Sequence, residues 1–457
     1  MTATDYSATS NVIAELYFEQ LNGLGLLAAL DRVPFAIQQR KGGFTPKMRC
    51  MAVLASLAQR CPRLTDWTLG HRLDTRLQHW MDDRIAPHPS TLSRTLAAAD
   101  AQTIEVLRQE ILVPLTDQVL LSPPTRGPVV FIDVDNKGLP AEGATYQNTT
   151  TGRMADATFA RGYRLHLLSL SNCYPLEMAL TGADAHAVPS AVSMIRRLWA
   201  RTNDRLRSAI VFRGDSNHGS VRFIRVLDHY GCGYLLKAYN TSTARNLWRD
   251  HGDVSIRRIV RADRADLLAK EVGATELTGM SRKTRPGKKD YRRACHATVP
   301  RVVVYHEDPA QVNADKTPEC FALLTTLPGS LYDATALLEE AYLPRGGTIE
   351  NIFCQLDQAF AITHLRSRTF YGNWLFLMLC LIAAILTQWV RHDALDHGDP
   401  VPAGLQETLT AAAQCGVRLP HDPQAGCTVA DGLPNAYTET FRTALRCSYQ
   451  QRFRFVA

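Results

Sequence analysis

Val129-Val-Phe-Ile-Asp-Val-Asp135 is an apolar run that ends on two carboxylates two residues apart. Along a strand, residues two apart point to the same side, so Asp133 and Asp135 share a face of the sheet this run joins. A charge at the end of so apolar a segment is costly unless a metal or hydrogen bonds answer it. Working outward, residues 163–170 and 176–180 read as two further strands and 191–200 as a helix. Residues 210–212 read as a fourth strand, 221–229 as a helix and 234–238 as a fifth strand. The order β-β-β-α-β-α-β specifies an α/β fold with a mixed sheet.

Two more acids stand in comparable settings. Ile210-Val-Phe-Arg-Gly-Asp-Ser-Asn-His-Gly219 puts Asp215 in a tight turn straight after the fourth strand, where it is either a metal ligand or an Asx-turn residue. Tyr342-Leu-Pro-Arg-Gly-Gly-Thr-Ile-Glu350 leads into a helix expected over 350–360, with Gly346 and Gly347 allowing a sharp turn before it. Glu350 is either a ligand or a capping glutamate, which suits a first helical turn. Carboxylates at the ends of adjacent strands, with one more on a helix, can share a pair of divalent metals. Such a pair activates water or a 3'-hydroxyl against a phosphodiester.

The rest of the chain supplies the frame. Its 457 residues, 46% of them hydrophobic, suffice for a large core and several domains. Residues 1–122 read as a helical region, in which Pro89-Ser-Thr-Leu-Ser-Arg94 starts a short helix capped by Ser90 or Thr91, with Ser93 and Arg94 facing outward to a DNA groove or to solvent. Residues 123–240 hold the strands above, and 241–320 read as an inserted β-rich subdomain. Residues 321–395 hold a further strand at 321–325 and the Glu350 helix, and 396–457 form a helical tail with helices near 405–414 and 438–451. The insertion contains Ser281-Arg-Lys-Thr-Arg-Pro-Gly-Lys-Lys-Asp-Tyr-Arg-Arg293, in which Arg282, Lys283, Arg285, Lys288, Lys289, Arg292 and Arg293 suit phosphate contact, or simply a solvated hairpin tip. The net charge of +7 and pI near 8.8 fit nucleic acid without requiring it. Trp374 to Val390 is almost as long as a membrane span, but reads as a helix buried on all sides. Eleven scattered cysteines include no Cys-x2-Cys pair, which argues against a structural zinc and for a reducing cytoplasm. No phosphate-binding loop, Gly-x-Ser-x-Gly elbow or His-Glu-x2-His helix is present, so ATP-driven and metabolic hydrolase chemistry are disfavoured.

Together, the Asp215 and Glu350 contexts resemble the DDE insertion-sequence transposases, in the branch where a β-rich insertion precedes the glutamate and a Tyr-x2-Arg motif leads into it. Tyr174-Pro-Leu-Glu-Met-Ala-Leu-Thr-Gly182, Leu365-Arg-Ser-Arg-Thr-Phe-Tyr-Gly-Asn373 and Pro89–Arg94 extend the likeness over roughly 15–395. The resemblance implies a ribonuclease-H-like mixed sheet, a helical N-terminal DNA-binding region, and Asp135, Asp215 and Glu350 as catalytic and metal-ligating acids, with Asp133 competing for the first place. It implies two Mg²⁺ or Mn²⁺ ions, with Tyr342, Arg345 and the nearby Arg213 at the scissile phosphate. It also implies double-stranded DNA as partner at element ends and target, a homodimer in the DNA complex, no membrane, and a bacterial cytoplasmic, nucleoid-associated setting. A nuclease of the same fold and a decayed transposase that only holds DNA are the alternatives. The chain departs from the pattern in three places: four residues separate Arg345 from Glu350, Asp357 replaces an expected lysine, and Asn217-His218-Gly219 follows the Asp-Ser pair.

Overall fold

The computed structural model describes residues 6–9, 12–37, 42–121, 128–141, 145–154, 158–171, 174–262, 264–283, 291–311, 319–396, 401–402, 404–414, 417–420, 428–429 and 441; for 6–9, 280–283, 291–293, 346–350, 393–396, 413–414, 417–420 and 428–429 it describes the backbone alone. The tail helix expected near 438–451 and the proline-rich linker at 123–124 lie outside these residues.

The opening apolar run becomes β1 (Val130–Pro140), the centre of a ten-stranded sheet. On one side β1 pairs antiparallel with β2 (Phe159–Leu170), which pairs antiparallel with β3 (Pro175–Gly182). On the other side it runs parallel to β4 (Ile210–Gly214), which runs parallel to β5 (Gly233–Lys237). This mixed order, three antiparallel strands continued by two parallel ones, is the generic ribonuclease-H-like arrangement. β4 is buried along its whole length, as expected of a parallel strand covered on both faces.

The segment read as an inserted subdomain continues this same sheet. β6 (Arg257–Ile259), β7 (Leu267–Val272), β10 (Arg301–Glu307) and β11 (Cys320–Thr325) extend it antiparallel beyond β5, through the β5–β11 pairing. Only the hairpin of β8 (Thr275–Lys283) and β9 (Tyr291–Val299) forms a separate ladder. Sequence pattern could mark these strands as β. It could not show that the edge of β5 was free to take them, because edge pairing is decided by backbone groups rather than side chains.

Helices cover the sheet. α4 (Ala187–Arg201) buries Ala191, Met194, Ile195 and Leu198, a three-and-four spacing that makes one apolar face. α5 (Val221–His229) buries Phe223, Ile224 and Leu227, and Ser220 caps its N-terminus. In the N-terminal region α1 (Val12–Gly23), α2 (Pro46–Ala58) and α3 (Pro89–Ala97) pack around the long α7 (Phe370–Asp396), which also contacts β3. Residues Leu375 to Leu386 of α7 are all buried, so this helix, long and apolar enough to cross a membrane, is the hub joining the N-terminal helices to the sheet. α8 (Leu405–Gln414) packs on α6 (Leu343–Phe360) and α7.

α6 corrects one expectation. It starts at Leu343 rather than Glu350 and passes through Gly346-Gly347 without turning. Pro344 in its first turn favours that start, and a π-helical segment, Leu337–Tyr342, leads directly into it. Two helical glycines cost roughly 1 kcal/mol each against alanine, a local penalty that the anchoring of Arg345 described below can offset.

Candidate functional site

In the sheet register Val134 lies beside Gly214, and Gly214 beside Leu236. The next residue along each segment is therefore Asp135, Asp215 and Lys237, three neighbouring charges: Asp135 midway along β1 where its pairing with β4 stops, Asp215 just past β4 and Lys237 at the end of β5. The Asp135 side chain is 16% exposed and that of Asp215 29%, so both are partly open to solvent.

Asp133 sits one pleat deeper on the same face and is fully buried. Its two oxygens accept hydrogen bonds from Arg213 Nε and Nη2, both at 2.8 Å, across the β1–β4 ladder. Arg213 also donates to Ser171 Oγ at 3.0 Å and to the Ala341 carbonyl, and lies 4.5 Å from the centre of the Phe131 ring. Asp133, offered by sequence as a competing metal ligand, is thus occupied by an internal partner and shut off from solvent. Arg213, offered as a phosphate contact, is only 2% exposed and points inward. Sequence could not reveal this pairing, because the two residues are brought together only by strand register.

Arg345 is nearly as enclosed, at 6% exposed. Its Nη2 donates to the Val134 carbonyl at 2.9 Å and to Asp135 Oδ2 at 3.2 Å, and its Nε lies 3.9 Å from Asp133. Burial alone would pull its pKa down, but Asp135 and Asp133 outweigh burial and hold it above the ordinary value. Expected at the phosphate, Arg345 instead clamps the start of α6 to the middle of β1. With the Arg213–Ala341 bond, it fixes where the helix carrying Glu350 begins. Glu350 lies five residues further along that helix, about 7.5 Å up its axis. The Glu350 side chain lies outside the described residues, as do the side chains of Arg282, Lys283, Arg292 and Arg293 and the whole of Arg285, Lys288 and Lys289.

Asp215 is held by its own turn. Oδ1 accepts from Asn217 N at 3.0 Å and faces His218 Nδ1 at 2.8 Å, and Oδ2 accepts from Asn217 Nδ2 at 2.8 Å. The Asx-turn reading and the ligand reading are compatible, since this turn is what presents the carboxylate. Gly219 closes it: a Cβ there would stand 1.7 Å from the Lys237 carbonyl oxygen, so only glycine lets the loop lie against the end of β5. Burial pushes the Asp135 carboxyl up, with Arg345 opposing and Asp215 adding to the rise. Burial acts the same way on Asp215, but the His218 hydrogen bond and charge, then Arg345, bring it below the usual range. This is the signature of two carboxylates side by side, relieved unequally by local donors.

Tyr342 is buried beside these groups. Burial raises its pKa, Arg345 opposes, and Asp215 and Asp135 add to the rise. Lys237 went unnoticed in the sequence. It is half-buried beside Asp215, its Nζ lies 3.4 Å from the centre of the Phe321 ring, and burial lowers its pKa. A lone cation ending the fifth apolar strand was the available signal. Asp357, read as a reversal of charge near the cut strand, instead secures the end of its own helix. Its Oδ1 accepts from Thr363 N at 3.0 Å and Thr363 Oγ1 at 2.7 Å, where Ala361 ends α6 in the left-handed region at φ 51°.

In the N-terminal region α3 starts at Pro89, with the His88 side chain as cap rather than Ser90 or Thr91. Arg94 is exposed and donates back to the Ser90 carbonyl at 3.2 Å. Ser90 and Ser93 line a groove of about 970 Å³ whose other wall includes His364 and Arg366, just past α6.

Among the described residues no group of three His, Cys, Asp or Glu side chains converges. The two described acids, Asp135 and Asp215, offer hard oxygen donors that suit a divalent cation of the magnesium class, and the Glu350 helix starts beside them. A mixed α/β sheet with two carboxylates side by side on adjacent parallel strands places the chain in the generic ribonuclease-H-like class. More particularly, the transposase DDE domain group 1 family matches residues 69–400, most of the chain, and the chain belongs to that family. Members of this family are in general DNA-binding enzymes that use divalent metal ions. No curated protein matches the chain.

Proposed function

We propose that this chain is an insertion-sequence transposase that binds terminal inverted repeats and carries out metal-dependent strand cleavage and strand transfer. The observation that carries the reading is the placement of Asp135 and Asp215 side by side where two adjacent parallel strands stop pairing, with Arg345 tying the Glu350 helix to the same point. Asp135, Asp215 and Glu350 would hold two Mg²⁺ or Mn²⁺ ions, which when bound would lower the pKa of an attacking water or 3'-hydroxyl and offset charge on the leaving oxygen. The chain's own residues do the rest. Arg345 orients Asp135, and Asn217 and His218 orient Asp215. Asp133 and Arg213 brace the strands beneath, and Lys237 offers a cation to the phosphate beside Asp215. No nucleotide triphosphate is needed, because one phosphodiester is exchanged for another. Activity on paired element ends calls for at least a homodimer in the DNA complex, acting in a bacterial cytoplasm on nucleoid DNA.

The rival reading, a descendant that holds DNA without cutting it, draws support from the donors now engaging both carboxylates, Arg345 on Asp135 and His218 on Asp215. Incubating duplex DNA that carries the element's ends with Mg²⁺ or Mn²⁺ decides between them. Nicking and joining by wild type, both lost in Asp215→Asn with DNA binding retained, is the expected result. Binding without nicking by wild type in either metal would establish the non-cutting descendant, and nicking without joining would establish a nuclease.

A further inference from the structure

A basic cleft lies away from the carboxylates. α4, α5 and β9 enclose a cleft of about 430 Å³ lined by Arg196 and Val192 of α4, Arg222, Arg225 and His229 of α5, and Cys295 of β9. Among the described residues, no acidic one lines it. Arg196, Arg222 and Arg225 are exposed, and none of them forms a salt bridge among the described residues. Arg196 Nε donates to Tyr230 Oη at 3.0 Å, which turns that side chain toward the cleft. The floor is firm: a Cβ on Gly279 of the hairpin would stand 2.9 Å from Val221 Cβ, so hairpin and helix are in close contact.

The cleft points at the catalytic edge. α5 begins two residues after the Asp215–Gly219 turn, and Arg222 is in its first turn. Arg225 and His229 follow at three and seven residues, on one side of the helix, about 4.5 and 10.5 Å along its axis. That spacing suits two or three successive charges of a nucleic-acid strand, which recur about every 3.4 Å of duplex axis on each strand. The hairpin that forms one wall continues into the basic stretch ending at Arg293.

We propose that this cleft holds the phosphate backbone of duplex DNA flanking the cleavage point, with Arg222 and Arg225 as the principal contacts. The proposal rests on the transposase reading above. It goes beyond that reading by giving α5 a role in carrying DNA from the carboxylates outward toward the hairpin.

The test is the salt dependence of duplex binding, measured by fluorescence anisotropy on labelled duplex DNA without added metal. Each lost phosphate contact lowers the slope of log K against log salt by about 0.9. Arg222→Gln/Arg225→Gln should therefore reduce it by about 1.8. Between roughly 50 and 200 mM salt, wild type should lose roughly tenfold more affinity than this variant. Arg205→Gln/Arg249→Gln removes the same charge from exposed sites outside the cleft and should leave the slope as it was. Arg196→Gln alone, with its own melting curve, provides a third variant that disturbs α4 rather than α5, and should lower the slope by about one. An unchanged slope in the cleft variants, or an equal drop in the control pair, overturns the assignment while leaving the transposase reading intact. Reduced binding of single-stranded RNA with duplex binding unchanged overturns it too. Failure of wild type to bind any duplex overturns both.

Discussion

Replacing Arg213 by methionine would remove one half of a salt bridge that has no contact with solvent. Asp133 is 0% and Arg213 2% exposed, with two hydrogen bonds at 2.8 Å between them. Breaking a buried pair from one side typically costs about 3–5 kcal/mol, because the remaining charge is left without its partner. Two features fix where in that range the cost falls. Arg345 Nε, 3.9 Å from Asp133, still offers partial compensation. The stranded carboxylate can also escape by taking up a proton, which for an ordinary carboxyl near pKa 3.9 costs about 4 kcal/mol at pH 7. The expected loss is therefore about 3–4 kcal/mol at pH 7, including the bonds to Ser171 and Ala341. A carboxyl stranded in this way has a folded pKa above its unfolded one, so stability is lost as pH rises through and beyond the unfolded value. The variant's deficit should thus shrink toward pH 5, by up to about 1.4 kcal/mol per pH unit. Urea titrations followed by circular dichroism at pH 7 and pH 5 read both quantities. Asp133→Leu/Arg213→Met should recover much of the loss, since an apolar pair leaves no buried charge. A single-variant loss below about 1 kcal/mol, or one equal at both pH values, would refute the claim that this pair is a buried brace.

Three further outcomes follow from the same geometry. Asp135→Asn should abolish metal-dependent nicking and leave melting little changed, whereas Asp133→Asn should lower the melting temperature first; normal nicking by Asp135→Asn would return the ligand role to Asp133. His166 is buried against Thr181, and burial lowers its pKa to about 3, below its unfolded value of 6.5, so the unfolded chain binds the proton first and stability is lost as pH falls. Between pH 7 and pH 5 wild type should lose about 2 kcal/mol relative to His166→Gln, and parallel pH curves for the two would exclude this source of acid sensitivity. Gly219→Ala drives a Cβ into the Lys237 carbonyl and should cost about 1–3 kcal/mol and slow nicking, while Gly273→Ala, which meets nothing within 4 Å, should cost under about 0.5 kcal/mol by the same denaturation assay.

Much of the fold was legible because its signals are local. Apolar runs of three to eight residues and three-and-four spacing located the strands β1 to β5 and the helix Val221–His229. The strands ran longer than read, β1 to Pro140, because β2 supplies hydrogen-bonding partners past the apolar stretch. The α6 boundary was misread because glycines signal a break only when nothing outside the segment holds the helix. Here Arg345 and Arg213 hold it, through bonds that join α6 and the turn before it to β1 and β4, more than a hundred positions away. Asp357 illustrates the same limit, since its partner Thr363 is close in sequence but is aligned only by the way Ala361 ends the helix.

By itself the sequence determined where most strands and helices lie, and that acids stand in or directly after two of the strands, because periodicity and composition act within a few residues. Only the tertiary structure decided how those acids and the arginines divide their roles. Strand register set Asp133 against Arg213 and left Asp135 and Asp215 partly open to solvent, with Lys237 beside them. An arginine reads alike in sequence whether it faces a phosphate or a buried carboxylate. Its partner is chosen by which backbones lie next to each other, and that is settled only when the sheet forms.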